Sequence, residues 1–188
     1  VKRICRKLLE KLYDKYTATR DENWKWFENY LTYDNARLSQ ALMMGGIHFK
    51  NANYLTAGLE SIVWLFGIHY DNESNSISLI GNDGWYKKGS EKARFDQQPI
   101  EIPALIDACY QAYLISEDKE WINKIGITFS WFLGNNDRQE PLYDFISGGC
   151  FDGLTSAMTN QNQGAESTIS WLTSLHRMYR IRQELQVE

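Results

Sequence analysis

Residues 95–136 read "FDQQPIEIPALIDACYQAYLISEDKEWINKIGITFSWFLGNN", and this stretch decides the fold of the chain. Its apolar residues recur every three or four positions, which is the spacing of one face of an α-helix. They are Ile102, Leu105, Ile106, Cys109 and Tyr113 in the first half, and Ile122, Ile125, Phe129 and Phe132 in the second half. Pro99 suits a first helical turn, "SEDKEW" begins the partner helix, and Gly134 with Asn135 supplies its stop. The stretch therefore predicts a pair of antiparallel helices.

A second helical hairpin is predicted upstream of this stretch. Helical periodicity is present in "DNARLSQALMM" at 34–44 and in "NANYLTAGLESIVWLFGIHY" at 51–70. We expect the turn between them around Gly45, Gly46 and Asn51, because glycine and asparagine favour turn conformations.

The N-terminal segment "VKRICRKLLEKLYDKY" at 1–16 predicts an amphipathic helix. Ile4, Leu8 and Leu12 lie at helical spacing, whereas the lysines and arginines fall mostly on other faces. We interpret the basic side as a solvated face, or as a surface that meets an upstream part of a longer polypeptide. The start at Val1, directly before a helical pattern, also leads us to expect a piece of a longer chain.

The last predicted helix begins at Ala165 and is expected to pack Ile169, Leu172 and Tyr179. The whole pattern predicts an all-α fold of αα-hairpins in a single domain, 1–188.

The composition limits the class of protein. The chain has 188 residues and a formal net charge of −4, and this acidic balance argues against a nucleic-acid partner. The longest apolar run, "IVWLFGI" at 62–68, is far shorter than the ~20 residues of a membrane span. Aromatic residues form 14% of the chain, with seven Trp, which favours a site lined with rings.

The cysteines and histidines do not indicate a metal site. Cys5, Cys109 and Cys150 are odd in number and far apart, so they support neither a disulfide framework nor a zinc site. We therefore predict no metal, no cofactor, and a reducing, cytoplasmic setting.

Three predicted connections, 20–34, 71–99 and 134–164, exceed the two to eight residues or so that usually join helices in bundles. All three contain acids, amides, aromatic residues and glycines. If neighbouring hairpins pack side by side, these loops meet at one rim and the short turns meet at the opposite end. The sequence therefore predicts a functional site on the rim.

Five acids lie in these loops or at helix starts, namely Asp34, Asp96, Glu101, Asp152 and Glu166. Each also has a structural interpretation, since a carboxylate at a helix start accepts from free N–H groups and is stabilised by the helix dipole. Their distribution over loops that converge favours a site, but capping stays open as the alternative for each.

Several segments in order along the chain resemble one family. They are "WKWFENYLTYDNARLSQAL" (24–42), "FDQQPIEIPALIDACYQAY" (95–113), "WFLGNND" (131–137), "GGCFDGL" (148–154) and "NQNQGAESTISWL" (160–172). Together they look like the C-terminal helical region of bacterial group-1 glycosyltransferases, a region related to the (α/α)6 toroids of the six-hairpin glycosidase superfamily. The resemblance covers residues 24 to about 175.

The resemblance implies a partial or shortened (α/α) toroid with long polar loops at one rim. It also implies a sugar-nucleotide-dependent glycosyltransferase domain upstream in the same polypeptide. The sequence agrees with that division, because it contains neither a G-x-G-x-x-G motif nor a P-loop to hold phosphates.

Three functions follow as hypotheses. The first is a carbohydrate-binding or accessory module of a glycosyltransferase, whose sugar-facing rings would be Trp24, Trp26, Trp85 and Tyr86. In that module, hydroxyl groups of the sugar would be bound by Asp34, Gln97, Gln98, Glu101, Asn160 and Asn162.

The second hypothesis is a glycosidase-like enzyme that pairs Asp96 with Asp152 or Glu166 as its catalytic carboxylates. The third is a structural interaction domain, in which Gln97, Gln98, Asn160 and Asn162 only satisfy the backbone of the loops. In all three, the tryptophans inside helical patterns are expected to pack in the core; they are Trp64, Trp121, Trp131 and Trp171.

Overall fold

The computed structural model describes residues 1–186, and most of this part of the chain is helical. The six helices are α1 (Lys2–Thr19), α2 (Ala36–Phe49), α3 (Ala52–His69), α4 (Glu101–Ser116), α5 (Glu120–Ser130) and α6 (Ala165–Gln186), and a 3-10 turn follows α5 at Trp131–Leu133. The prediction of a mainly helical fold is confirmed. None of the six described helices combines the length and the apolar character that crossing a membrane requires.

Six strands of two residues each lie in the connections and were not predicted. They are β1 (Tyr30–Leu31), β2 (Tyr70–Asp71), β3 (Ser76–Ile77), β4 (Tyr86–Lys87), β5 (Gly153–Leu154) and β6 (Thr159–Asn160). They form three antiparallel pairs, β1 with β4, β2 with β3 and β5 with β6. Strands this short give no alternating pattern long enough to recognise in a sequence.

Helix α4 is the centre of the fold. It packs against α2, α3, α5 and α6, and its predicted stripe from Ile102 to Cys109 is fully buried. Ala104, Ala108 and Ala112 are buried as well, so α4 is enclosed on most of its sides. A helix that is apolar nearly all round is typical of the middle of a packed layer.

The turn of the first hairpin lies further along the chain than predicted. Helix α2 continues through both glycines and ends at Phe49, with Lys50 in the left-handed conformation and the Asn51 side chain capping α3. A Cβ on Gly45 would lie 2.5 Å from the Leu9 side chain, and one on Gly46 would lie 2.8 Å from the Leu55 backbone nitrogen. These glycines therefore let α1 and α3 approach α2 closely.

The buried face of α6 is not the predicted one. Ile169, Leu172 and Tyr179 are each more than half exposed, whereas Trp171 and a row of serines on the other side face the core. Trp171 stacks on Phe129 and on Tyr143, with ring centroids 5.3 and 4.5 Å apart. Periodicity shows that a helix has an apolar stripe, but the buried side of α6 carries Trp171 and small serines instead.

A similar difference occurs in α1, where Ile4 and Leu8 are exposed. The inner side of α1 is formed instead by Leu9, Leu12, Tyr13 and Tyr16.

The second long connection contacts both the first and the third. β1 in the first connection pairs with β4 in the second, and Gln97 in the second forms a bridge with Leu154 in the third. Asn135 in the third also donates to the backbone carbonyl of Asn75 in the second, at 3.0 Å. Polar side chains from distant parts of the chain are thereby brought together near the start of α4.

Candidate functional site

A pocket of about 430 Å³ lies where the second and third long connections meet the start of α6. Its wall is formed by segments 96–98, 152–155 and 164–167, together with Asn82 and Asn160. All three carboxylates predicted as catalytic, Asp96, Asp152 and Glu166, line it. The lining contains no lysine, arginine or histidine, so the pocket is acidic and polar.

Gln97 supports the wall of the pocket through hydrogen bonds inside the protein. Its side chain is fully buried, and its amide nitrogen donates to the Arg94 carbonyl at 2.8 Å and to Asp137 at 2.5 Å. Its amide oxygen accepts from the Trp131 indole N–H at 3.1 Å. Since both ends of the amide are occupied, Gln97 positions the loop and does not offer the hydroxyl-binding group that was predicted.

The backbone of Gln97 joins the two sides of the pocket. It exchanges two hydrogen bonds with Leu154, one of 2.9 Å and one of 3.0 Å. This pairing requires glycine at position 153, because a Cβ there would lie 2.1 Å from the Gln97 carbonyl oxygen.

Asp152 is held by three hydrogen bonds within the protein. One carboxylate oxygen accepts from the Gly164 backbone N–H at 2.7 Å and from the Ser167 hydroxyl at 2.8 Å. The other accepts from the Asn162 side-chain amide. Partial burial acts to raise the pKa of Asp152, but the donors Ser167, Asn162 and Gly164 outweigh it, so the pKa is lowered.

Asp152 therefore stays ionised at neutral pH and joins the third connection to the first turn of α6. A permanently ionised carboxylate cannot serve as the general acid of a glycosidase. Asn162, which was predicted to bind a sugar hydroxyl, has its amide engaged with Asp152 instead.

We predict that Asp152→Ala lowers the free energy of unfolding by about 1–3 kcal/mol, since it leaves three donors without their acceptor. Thermal unfolding followed by circular dichroism measures this. Glu166→Ala is the matched control, because this exposed acid on the same pocket should change stability by about 0.5 kcal/mol or less. Equal melting temperatures for Asp152→Ala and the unmodified protein would contradict the bonding role.

Four of the predicted pocket side chains remain able to meet a ligand. Asp96, Glu166 and Asn160 are exposed, and Gln98 is partly exposed. They come from three different segments, and all four line the pocket. Carboxylates accept hydrogen bonds and amides both donate and accept, so the set suits a ligand with several hydroxyl groups.

The predicted sugar-facing rings do not lie at this pocket. Trp24 and Trp26 are only 4% and 1% exposed, so neither can offer a face to a sugar. The Trp24 indole N–H donates to the Glu28 carbonyl at 2.8 Å. These rings bury large apolar areas, and both pack against Trp64 of α3.

Trp85 and Tyr86 are partly exposed but lie elsewhere. Trp85 packs near Tyr33, and Tyr86 lies in a separate hollow of about 420 Å³ beside Trp24.

Glu101 and Asp34 form a second acidic pair away from the pocket. The Glu101 carboxylate is buried and accepts from the Asp34 backbone N–H and, at 3.4 Å, from the Asn35 side-chain amide. Burial raises the pKa of Glu101 to about 7. Asp34 lies 3.4 Å from Arg37, and burial raises the pKa of Asp34 as well. Both were predicted to bind sugar, but neither lines the pocket.

Three pocket residues with polar side chains were not predicted, namely Asn82, Thr155 and Ser167. Asn82 belongs to the "GNDGWY" part of the second connection, whose polar and glycine-rich composition is the signal that pointed to that loop. Thr155 and Ser167 are small hydroxyl residues in no recognisable pattern. Within residues 1–186, no three His, Cys, Asp or Glu side chains are grouped so as to hold a metal ion.

Comparison of the chain with protein-family models and with curated proteins finds no match.

Proposed function

We propose that the pocket binds a neutral carbohydrate through Asp96, Gln98, Asn160 and Glu166. The observation that carries this proposal is the convergence of these four side chains in one pocket that lacks any cationic group. A volume of about 430 Å³ falls within the range of small-molecule sites, roughly 300–1,000 Å³. The absence of cations in the lining disfavours phosphates and other anions, which positive groups normally bind.

Binding is better supported than hydrolysis. A glycosidase needs one carboxylic acid that keeps its proton near neutral pH, and the hydrogen bonds of Asp152 hold its carboxylate in the ionised form. The alternative enzyme would use Asp96 as its acid, with Asp152 or Glu166 as the ionised partner. Asp96 and Glu166 are both exposed to solvent.

We propose further that the helices form part of an (α/α) toroid and that the module serves a glycosyltransferase domain of the same polypeptide. The packing of α2 on α4 and of α4 on α6, with α3 and α5 as hairpin partners, supports the first part. The resemblance of the five segments between residues 24 and 172 supports the second.

The test is calorimetric titration of neutral and uronic-acid oligosaccharides into the unmodified protein and into Asp96→Asn with Glu166→Gln. We expect neutral saccharides to bind and uronates to bind at least about 10-fold more weakly. The double variant should lose about 10-fold or more of its affinity for neutral saccharides, because it removes two charged acceptors. Glu117→Gln, in the turn after α4 at the other end of that helix, is the control and should bind normally.

Three results would count against the proposal. Uronates that bind as well as neutral saccharides would contradict the role of the acidic lining. Chromatography that detects cleavage, lost in the double variant, would establish the glycosidase alternative. If no saccharide binds, the interaction-domain alternative becomes the stronger one, and the exposed Ile169, Leu172, Leu175 and Tyr179 of α6 favour it.

A further inference from the structure

Residues 144–149 form a tightly bonded loop, which we call the 144–149 loop. The Asp144 backbone N–H donates to the Gly149 carbonyl at 3.0 Å, and the Gly148 N–H donates to the Asp144 carbonyl at 2.8 Å. The Asp144 carboxylate accepts from the Ile146 N–H at 2.9 Å and from the Ser147 hydroxyl at 2.6 Å. These bonds define one conformation for the loop.

The 144–149 loop is attached to the wall of the pocket through Gln163. The Gln163 amide nitrogen donates to the Asp144 carboxylate at 2.9 Å, and its amide oxygen lies 2.8 Å from the Ser147 hydroxyl. The next residue, Gly164, lines the pocket and donates its N–H to Asp152. The loop is therefore joined by hydrogen bonds to Gln163, which directly precedes the pocket-lining Gly164.

This loop exposes two large apolar side chains. Phe145 is 72% exposed and Ile146 is 98% exposed. The Phe145 ring is supported from beneath, because it meets the Tyr143 ring edge-on at 4.8 Å, and Tyr143 in turn stacks on the buried Trp171 at 4.5 Å. Phe145 is thus an exposed ring whose position is fixed by packing against other rings. Its exposure to water costs hydrophobic free energy, which is regained when a ligand covers the ring.

We propose that Phe145 is an outer subsite that stacks on the apolar face of a second sugar residue. This inference rests on the proposed function, in which the first sugar occupies the pocket. Sugar rings carry C–H groups on one face and hydroxyls at the edges, so a polar pocket beside an exposed ring matches two consecutive sugar units. The ligand class is then an oligosaccharide of at least two units rather than a monosaccharide.

The test uses gluco- and manno-oligosaccharides of one to four units, titrated by calorimetry. In the unmodified protein, affinity should rise about 3- to 10-fold from one unit to two. Phe145→Ala should remove that gain and leave monosaccharide binding unchanged, whereas Phe145→Tyr should retain it. Ile146→Ala is the matched control, because it removes a neighbouring exposed apolar side chain that has no ring.

Two results would overturn the inference while leaving the proposed function intact. One is a gain with chain length that persists in Phe145→Ala, and the other is an equal loss in Ile146→Ala. If no saccharide binds to the unmodified protein or to any variant, binding at the pocket is refuted. The outer subsite is then refuted as well.

Discussion

Replacement of Gly153 by alanine is expected to destabilise the protein by about 3 kcal/mol and to abolish saccharide binding. The new Cβ would lie 2.1 Å from the Gln97 carbonyl oxygen, and Gly153 has a φ of 155°. The neighbouring atoms are backbone, and two hydrogen bonds between Gln97 and Leu154 hold them in place. To relieve the clash, Gln97 and Leu154 must move apart. Both residues line the pocket.

The measurement is thermal unfolding, in which we expect the melting temperature of Gly153→Ala to fall by about 6–12 °C for a chain of this length. Gly126→Ala is the control, because Gly126 lies in α5 with open space around its Cβ position. Alanine there should raise stability by up to about 1 kcal/mol, from helix propensity alone. Unchanged melting of Gly153→Ala would show that the loops do not need this close approach.

Glu101 should make the protein less stable as the pH rises from about 4.5 to 7. The ordinary pKa of a glutamate in the unfolded chain is 4.5, and burial raises the pKa in the folded protein to about 7. Between these values the unfolded chain releases a proton that the folded protein keeps. The stabilisation from this group is therefore complete below about pH 4.5 and is lost as the pH rises through 7, by about 3 kcal/mol in total.

Glu101→Gln isolates this effect, because glutamine keeps an oxygen that accepts from the Asp34 N–H and does not ionise. We expect the variant and the unmodified protein to melt alike at pH 4.5, and the variant to be more stable by about 3 kcal/mol at pH 8. Comparison of the two proteins at each pH removes the contributions of other groups. Charged neighbours to be considered are Asp34 and Arg37, which are present in both proteins. A pH-independent difference between them would contradict the raised pKa.

The structure brings the three predicted acids together in one pocket, whereas the predicted aromatic rings lie elsewhere. Asp96, Asp152 and Glu166 lie in polar connections too long for ordinary turns, and such connections meet wherever the helices they join pack side by side. A tryptophan in a loop gives no comparable signal. Trp24 and Trp26 are equally compatible with a sugar platform and with a small satellite core, and only the course of the first connection buried them.

The roles of individual polar residues followed from their partners. In the sequence alone, nothing distinguishes the role of Asp152 from that of Asp96, or the role of Gln97 from that of Gln98. The structure gives Asp152 three internal donors and encloses the amide of Gln97, while it leaves Asp96 exposed and Gln98 partly exposed. Which acid bonds to the protein and which is left exposed depends on residues ten or more positions away along the chain.

The local pattern of residues determined the helices, the length and polarity of the connections, and the apolar stripe of α4, because apolar spacing and stop signals act within a few residues. Tertiary structure alone decided which face of α6 is buried, where the first hairpin turns, and which side chains line the pocket. Each of these depends on contacts between distant segments, such as Trp171 of α6 against Phe129 or Gly153 against Gln97. The free energy of such contacts comes from close packing and from hydrogen bonds between these segments, which no short window of sequence contains.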